Sequence, residues 1–255
     1  MKKDISFVGK YRQHEDTLFS THQYLSDVVS KINPPEGFCL TTDFQSGGRG
    51  QIGRNWHSAS GKNLLVSYVF YPRKLPVHEQ FLLNVWVSLA VRATVISFGL
   101  KRVSIKWPND VYIGNKKVAG ILIQNTLQGH EIKNSIVSVG LNVNESDFPT
   151  DIPNPTSLAV EAGQLFDRES VLSKLHEHLD EGYRQILTAD KYGYVRALYE
   201  ANLFGRQDWY LYRREDNSTF RARVRKVTDE GYLILENQEN GYEKYSFRQV
   251  SLVGE

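Results

Sequence analysis

Three short segments of the chain combine side-chain types that suit the handling of an anion. Residues 47–56 read GGRGQIGRNW, residues 106–110 read KWPND, and residues 116–122 read KKVAGIL. Glycine backbone amides and guanidinium groups can surround a phosphate or a carboxylate. The lysines and the carboxylate of Asp110 in the later segments suit a phosphate ester together with a metal ion. The sequence therefore indicates phosphate chemistry in a glycine-rich site.

Together, and in this order, the three segments resemble the catalytic domain of biotin protein ligases, which adenylate biotin with ATP and pass it to a lysine of a carrier domain. The resemblance extends from about Ser20 to the C-terminus. Alone, the glycine segment would equally fit a flexible surface loop, whereas the ordered combination is specific. The resemblance implies an α+β fold of the class II synthetase-like type. In that fold, helices flank a mixed or antiparallel sheet, and a small SH3-like β-barrel follows at the C-terminus.

The resemblance assigns catalytic roles to Lys117, Arg49 and Asp110. A carboxylate must become an acyl adenylate before an amine can attack it, so the site needs cations near the carboxylate and the α-phosphate. Lys117 matches the lysine that bridges those oxygens, and the guanidinium fork of Arg49 fits them bidentately. Asp110 is the carboxylate expected to face Mg²⁺. By itself, Lys117 would also fit a solvated hairpin lysine.

The other implied site residues form a biotin group and an ATP group. The biotin group offers hydrogen bonds to a cyclic urea and close backbone approach; it contains Ser20, Thr21, His22, Gln45, Gly48, Arg49, Gly50, Gln51, Lys117 and Gly140. The ATP group contains Arg49, Arg54, Trp56, Lys106, Asn109, Asp110, Lys117 and Asn142. A plain helix cap is an alternative for Ser20 and Thr21. Trp56 is expected to pack over the loop rather than to contact the nucleotide.

The chain departs from the family pattern at three places. The family usually reads Asp-Ser-Thr-Asn before its first helix, where this chain has Phe19, Ser20, Thr21 and His22. The family's loop more often reads Gly-Arg-Gly-Arg, and Gln51 takes the place of the second arginine, which removes one positive charge near the adenylate. Some members cap adenine with an aromatic side chain, and the segment 149–158 offers none.

Composition narrows the class of protein. The chain has 255 residues, of which 40% are hydrophobic and 24% charged, enough for one large domain and one small one. Its net charge of +2 gives no overall attraction to nucleic acid or to a membrane. Cys39 is the only cysteine, which excludes an intrachain disulfide and a zinc cluster. We expect it to be a small buried hydrophobe at the start of a strand. The seven histidines show no metal-ligand spacing and are expected to form surface or local hydrogen-bonding contacts.

The N-terminal segment predicts neither export nor DNA binding. Residues 1–16 contain no apolar core, so we expect no signal peptide, and no later stretch reaches the about 18 apolar residues of a membrane span. A cytoplasmic location follows as an expectation. Too few residues precede Ser20 for the winged-helix domain that some family members carry, so we expect no nucleic-acid partner.

Hydrophobic spacing predicts helices and strands that would carry these segments. Helices are expected from Thr21 to about Ile32 with Ser20 as cap, over 79–99, 168–189 and 191–203. Strands are expected over 38–44, 64–71, 103–107, 111–113, 118–124 and 132–143, with a hairpin turn at Gly114-Asn115. A composition change places a catalytic domain over 1–205 and a barrel over 206–255, with strands at 209–213, 220–228, 231–236 and 243–247.

Two other functions remain as alternatives. A lipoate or octanoate ligase would share the fold, but such enzymes lack the pairing of Gly-Arg-Gly with KWPND. A non-catalytic biotin or nucleotide binder would not need Lys117, Arg49 and Asp110 intact. The favoured function implies ATP and biotin as substrates, Mg²⁺, and the biotin carboxyl carrier domain of a biotin-dependent carboxylase as partner. It leaves a homodimer open.

Overall fold

The structure is a computed structural model that describes residues 7–50, 55–239 and 241–253. Seven strands form one sheet: β1 Arg12–Leu18, β2 Cys39–Gln45, β3 Leu64–Phe70, β4 Val103–Lys106, β5 Asp110–Ile113, β6 Lys116–Gln128 and β7 Glu131–Leu141. Their spatial order is β1, β2, β3, β7, β6, β5, β4. β1 runs parallel to β2, and the later pairs are antiparallel. All of β3 is buried, because its apolar run LLVSYVF is covered on both faces.

Helices cover both faces of this sheet. They are α1 Thr21–Lys31, α2 Phe81–Ser97, α3 Leu158–Ala162, α4 Arg168–Ile186 and α5 Tyr192–Ala201, with short 3-10 turns at Val77–Glu79 and Ala189–Lys191. On one face, Leu25 of α1 packs with Val69 of β3 in a small cluster. Neighbouring Tyr68 and Phe70 point to the other face, where α2, α4 and α5 form the main core. The mixed sheet flanked by helices confirms the expected fold class.

Aromatic side chains fill the main core beneath α2. Trp86 is 1% exposed, and its ring meets Phe70 at 4.8 Å between centroids. Its indole N–H donates to the carbonyl of Leu179 at 2.9 Å, so the one polar atom of the side chain is satisfied. Gly182 lies against the same indole, and a Cβ there would come within 2.5 Å of it. Trp86 is therefore a core residue, as the helical spacing predicted.

One segment overturns the expectation that no stretch is long enough to span a membrane. Val77–Ser97 comprises 21 residues and is apolar enough to cross a bilayer by length and composition. Within the fold, 56% of its most apolar window is buried, and α2 contacts α4, α5 and several strands. A helix that is packed against other elements on most of its sides is apolar all round, so its sequence resembles that of a membrane-spanning helix.

The C-terminal residues form a second, five-stranded antiparallel sheet. Its strands are β8 Tyr210–Arg214, β9 Thr219–Val227, β10 Leu233–Asn237, β11 Gly241–Tyr245 and β12 Val250–Leu252, in the order β11, β10, β9, β8, β12. Phe204 links the two sheets, with ring centroids 5.3 Å from Tyr112 and 4.9 Å from Tyr210. Trp107 adds a hydrogen bond of 2.9 Å to the carbonyl of Gly231. The C-terminal sheet therefore packs directly behind the KWPND segment.

Most predicted elements are present with shifted ends, and three were missed, namely β1, α3 and β12. No local pattern predicted β1, whose residues RQHEDTL are mostly polar, because an edge strand needs only one partner and few buried side chains. α3 is only five residues long and leaves a weak periodic signal. Cys39 is fully buried at the start of β2 as expected, and burial raises the pKa of its thiol to about 12.

Candidate active site

A pocket of about 80 Å³ opens where the start of α1, the end of β2 and the centre of the sheet meet. Most of the predicted site residues line it, namely Ser20, Thr21, His22, Gln45, Arg49, Gly50, Trp56, Asn109, Asp110, Lys117 and Gly140. One end is uncharged and rich in hydroxyl and amide groups, and the other end carries cations and a carboxylate.

The uncharged end begins at the first turn of α1. Ser20 is the N-cap, and its hydroxyl accepts the backbone N–H of Gln23 at 3.5 Å. The backbone N–H and the hydroxyl of Thr21 both reach the side-chain oxygen of Gln45, at 2.7 and 3.0 Å. Behind them, Ser67 hydrogen-bonds to Thr21 at 2.8 Å and to Ser138 at 2.7 Å. The helix cap and the pocket wall are thus one structure, so the two interpretations of Ser20 and Thr21 are compatible.

His22 completes the uncharged end and is only 5% exposed. Its Nδ1 lies 2.7 Å from the hydroxyl of Ser138, and its Nε2 lies 2.9 Å from the side-chain oxygen Oε1 of Gln124. Burial lowers the pKa of the imidazole, and the nearby charge of Arg49 adds to that effect, while the hydrogen bond to Gln124 acts against it. Both ring nitrogens therefore have partners within the protein.

The charged end is built on the β5–β6 hairpin. Lys117 Nζ lies 2.8 Å from Asp110 Oδ1, and the two side chains are 28% and 12% exposed. The backbone of Lys117 is held separately: its N–H donates to the carbonyl of Asn154 at 2.7 Å, and its carbonyl accepts from Thr156 at 2.9 Å. Lys117 is thus neither a solvated nor a loosely held hairpin lysine.

Asn109 is fixed beside this ion pair. Its side-chain N–H donates to the carbonyl of Ile121 at 2.5 Å, and the backbone N–H of Ile121 donates back to the carbonyl of Asn109 at 2.9 Å. The preceding Trp107-Pro108 peptide bond is cis. The contacts with Ile121 direct Asn109 and Asp110 toward the pocket.

Trp56 lies in the pocket between its two ends. Its indole rests on the backbone of two strands, where a Cβ on Gly140 would come within 2.4 Å of the ring and one on Gly120 within 2.9 Å. Lys117 Nζ lies 5.7 Å from the ring centroid. Trp56 therefore packs on β6 and β7, and its contact with the nucleotide stays a prediction. Its buried Nε1 has no hydrogen-bond partner among the described residues. The close approach expected at Gly140 is made here by this indole.

Some predicted site residues do not line the pocket. Lys106 lies 5.7 Å from the ring of Tyr112 and faces an adjacent cavity of about 380 Å³ beneath the C-terminal sheet. Asn142 is buried and donates its side-chain N–H to the carbonyl of Thr156 at 2.9 Å. Gly48 lies behind the pocket, where a Cβ would come within 2.5 Å of the carbonyl of Trp56. Gln51 and Arg54 lie outside the described residues.

Sequence reasoning missed several residues that line the pocket. Ser138 is two residues before Gly140 on β7, so the alternation of a strand places both on the same face. That signal was present in the sequence and would have added Ser138 to the biotin group. The further lining residues are Asn55, Leu65, Val66, Gly120, Ile121, Leu122 and Val139.

A group of potential metal ligands lies away from the pocket, although the sequence showed no metal-ligand spacing. His14 Nε2 lies 3.7 Å from an oxygen of Asp43 and 4.0 Å from one of Asp16. Arg168 already binds Asp43 at 2.8 Å. Because a guanidinium occupies the carboxylate, this group is an ion-pair network at the edge of the sheet.

A lysine–carboxylate ion pair beside a hydroxyl-lined pocket, on an α+β sheet, has the organisation of a ligase that activates a carboxylate. A sequence profile of the Biotin/lipoate A/B protein ligase family matches residues 16–144. The chain belongs to this family.

Individual relatives support the same assignment. The chain is 30% identical over 244 residues to the "Bifunctional ligase/repressor BirA" of Bacillus spizizenii, covering 94% of this chain and 73% of that protein, with the same figures for the Bacillus subtilis protein. Among solved structures, the fold resembles the biotin protein ligase of Aquifex aeolicus in complex with biotin and ATP. The TM-score is 0.79 at 24% identity, over 96% of this chain and 100% of that one.

Proposed function

We propose that this chain is a biotin protein ligase. It activates biotin with ATP to biotinyl-5′-AMP and pyrophosphate, then transfers biotin to a specific lysine of a biotin carboxyl carrier domain. The observation that carries the proposal is the pocket itself, which joins a hydroxyl-lined end to the Lys117–Asp110 pair in a member of the ligase family.

The uncharged end suits the cyclic urea of biotin. Gln45 uses its side-chain oxygen on Thr21, which leaves its NH₂ group to donate to a ligand carbonyl. The hydroxyl oxygens of Thr21 and Ser138 can accept hydrogen bonds from ligand N–H groups. Val66, Ile121 and Val139 supply apolar wall for the rest of the bicycle. The dithiolane of lipoate would leave these polar groups unpaired, which disfavours it.

The charged end suits adenylation. Attack of a carboxylate on the α-phosphate brings two anions together, and the cation of Lys117 offsets their repulsion. Arg49 lines the same pocket and can bind a carboxylate or phosphate bidentately. The ion pair with Asp110 holds the ammonium group of Lys117 at the pocket, so little ordering is needed when the ligands enter.

The residues present fit a magnesium ion bound together with a nucleotide. Mg²⁺ commonly takes one or two carboxylates from the protein and completes its shell with phosphates and water. Asp110 offers a carboxylate, and Asn109 keeps its side-chain oxygen because its amide N–H is the group bound to Ile121. When bound, the ion would neutralise charge on the departing pyrophosphate.

The names of relatives support the remaining parts of the proposal. The chain is 29% identical over 149 residues to a "Biotin--[acetyl-CoA-carboxylase] ligase" of Mycobacterium tuberculosis, covering 57% of this chain and 53% of that protein. This supports the carrier domain of a biotin-dependent carboxylase as partner. The proposed location is the cytoplasm, where ATP is supplied. The proposed domain boundary lies between residues 205 and 206. Gln51, Arg54, Lys106 and Asn142 stay predicted ligand contacts.

One experiment tests the function against its alternatives. The protein is incubated with ATP and Mg²⁺ and, separately, with biotin, lipoate or octanoate, and pyrophosphate release is followed. Release with biotin alone, followed by labelling of a purified carrier domain, is the expected result. Release with lipoate or octanoate but not biotin would identify an acyl ligase of the other branch. Binding of biotin without pyrophosphate release would identify a non-catalytic binder.

A further inference from the structure

An unbroken run of hydrogen bonds crosses the uncharged end of the pocket. We call it the hydroxyl relay; its members, in order, are Gln45, Thr21, Ser67, Ser138, His22 and Gln124. Its links measure between 2.7 and 3.0 Å. Each hydroxyl has one hydrogen to donate, so fixing the direction of one link fixes the next.

The direction of the relay is set at Gln45. The backbone N–H of Thr21 can only donate, so the atom of Gln45 that faces it must be the carbonyl oxygen. The hydroxyl of Thr21 binds the same oxygen and must also donate to it, which uses its only hydrogen. Ser67 therefore donates to Thr21.

The same reasoning determines the protonation of the histidine. The hydrogen of Ser67 is directed at Thr21, so Ser138 must donate to Ser67. The hydrogen of Ser138 is then used as well. The 2.7 Å contact between Ser138 and His22 Nδ1 can form only if Nδ1 carries a hydrogen and donates it. The relay thus selects the Nδ1–H tautomer of His22.

We propose that His22 is a positioning residue for the urea end of biotin, acting through the hydroxyl of Ser138. This inference rests on the proposed ligase function. The Nδ1–H of His22 and the oxygen of Ser67 together hold the Ser138 hydroxyl in one orientation, with its hydrogen turned away from the ligand. Because Ser138 lines the pocket, it presents only an acceptor lone pair to an entering molecule. It then favours a ligand N–H and rejects an acceptor such as an ester oxygen.

The second nitrogen of His22 makes this arrangement sensitive to pH. The structure places Gln124 Oε1 against Nε2, the orientation that suits a protonated ring. A neutral Nδ1–H ring accepts at Nε2, so the amide of Gln124 must then be flipped to present its NH₂ group, and the two orientations have the same heavy-atom positions. A protonated ring donates at Nε2 and requires the oxygen of Gln124 instead. Gln124 on β6 and Ser138 on β7 are uncharged, and Arg49 is the charged group that acts on the ring.

Protonation weakens the subsite for two reasons. A cationic Nδ1–H donates more strongly to Ser138, which makes that oxygen a poorer acceptor for the ligand. It also places a second positive charge near Arg49 without a facing carboxylate among the groups that bind His22. We therefore expect biotin to bind less tightly as the pH falls through the pKa of His22, which burial places below its ordinary value.

The asparagine usual in the family at this position supplies the conservative variant. In His22→Asn, the side-chain amide can donate to Ser138 as the imidazole does, but it does not titrate. In His22→Leu, the volume is largely kept and the donor is lost. His130→Asn is the matched control, because His130 is exposed at the distant turn of the β6–β7 hairpin.

The KM for biotin and the kcat of pyrophosphate release are measured for all four proteins between about pH 5.5 and pH 8, the range in which histidines titrate. Losing one hydrogen bond should raise the KM of His22→Leu by about 3- to 10-fold and leave kcat within about twofold. His22→Asn should match the wild type at the upper pH and lack its rise in KM at the lower pH. His130→Asn should follow the wild type throughout.

A spectroscopic measurement tests the relay without relying on turnover. In the ¹⁵N-histidine NMR spectrum, the His22 signals of the wild type should report Nδ1–H and neutral Nε2 at pH 7.5. An Nε2–H tautomer, an unchanged KM in His22→Leu, or identical pH profiles for wild type and His22→Asn would each overturn the proposal. Failure of the wild type to release pyrophosphate with biotin would instead overturn the ligase function. The NMR spectrum would still report the tautomer of His22 in that case.

Discussion

Lys117 Nζ and Asp110 Oδ1 lie 2.8 Å apart across the β5–β6 hairpin, in the charged end of the pocket. A register shift between Val111 and Tyr112 separates their paired positions on the two strands. The bulge lets both side chains reach the same side of the hairpin. The cation and the carboxylate to which we assign the adenylation step are therefore assembled on one hairpin.

Replacing this lysine should stop adenylation and leave the protein folded. In Lys117→Ala, the charge that offsets the two converging anions is lost, and we expect pyrophosphate release to fall at least about 100-fold. Lys116→Ala is the matched control, since Lys116 is exposed and its nearest carboxylate, on Glu161, is 3.8 Å away. Both variants should unfold cooperatively. Normal pyrophosphate release in Lys117→Ala would remove this lysine from the mechanism.

Replacing the facing carboxylate should change the response to magnesium. Asp110→Asn keeps the shape of the side chain but removes the charge that attracts a divalent cation. We expect a higher Mg²⁺ concentration for half-maximal pyrophosphate release, together with a lower maximal rate because Lys117 loses its ion pair. Asp190→Asn, on an exposed turn, serves as the control. An unchanged magnesium titration in Asp110→Asn would show that another group holds the ion.

The sequence located the charged end well and the uncharged end only in part. KWPND and Lys117 are close together along the chain, so a hairpin prediction alone brings them together. The hydroxyl relay draws on α1, β2, β3, β6 and β7, and no local pattern shows that Ser67 and His22 meet Ser138. Contacts between distant segments depend on strand order, which hydrophobic periodicity does not specify.

A methyl group on β7 should disturb the pocket through Trp56. In Gly140→Ala, the new Cβ would lie 2.4 Å from the indole, so the ring must move. We expect a several-fold higher KM for biotin and a loss of stability of about 1 to 3 kcal/mol from overpacking. Gly193→Ala is the control, because Gly193 lies in α5 with open space around it. That change should stabilise the helix by about 1 kcal/mol. Equal behaviour of the two variants in urea unfolding and in KM would contradict the packing argument.

The fold should lose stability in mild acid through His176. Burial lowers the pKa of this imidazole to about 4, with a smaller contribution from the charge of Arg12. Unfolding restores the ordinary histidine pKa of 6.5, so the unfolded chain binds more protons between these two values. The contribution of His176 is therefore fully present above pH 6.5 and is lost as the pH falls toward 4.

Urea unfolding at several pH values measures this effect. His176→Asn does not titrate, so its free energy of unfolding should fall less steeply than that of the wild type between pH 6.5 and pH 4. The comparison uses the slope rather than the absolute stability, because the substitution also leaves a space beside Tyr68 and Gly9. Parallel slopes for the two proteins would assign the acid sensitivity to other groups.

Elements with strong apolar periodicity were predictable, and polar or short ones were not. α2 was predicted from the spacing of its apolar residues, and β3 from its continuous apolar run. Both elements are buried, and burial requires apolar side chains. β1 carries alternating polar residues at the sheet edge and pairs with β2 only. β1 is held in place by parallel pairing with β2. That pairing depends on the arrangement of the whole sheet and not on the local sequence of β1.

Both backbone hydrogen-bonding groups of Lys117 belong to the Asn154–Thr156 segment rather than to its own hairpin. The position of the Lys117 ammonium group in the pocket consequently depends on the Asn154–Thr156 segment, which does not line the pocket. Lengthening or shortening that loop would therefore move the ammonium group of Lys117 without any change in the residues that line the pocket. Differences in turnover between related ligases can arise there while every pocket residue stays the same.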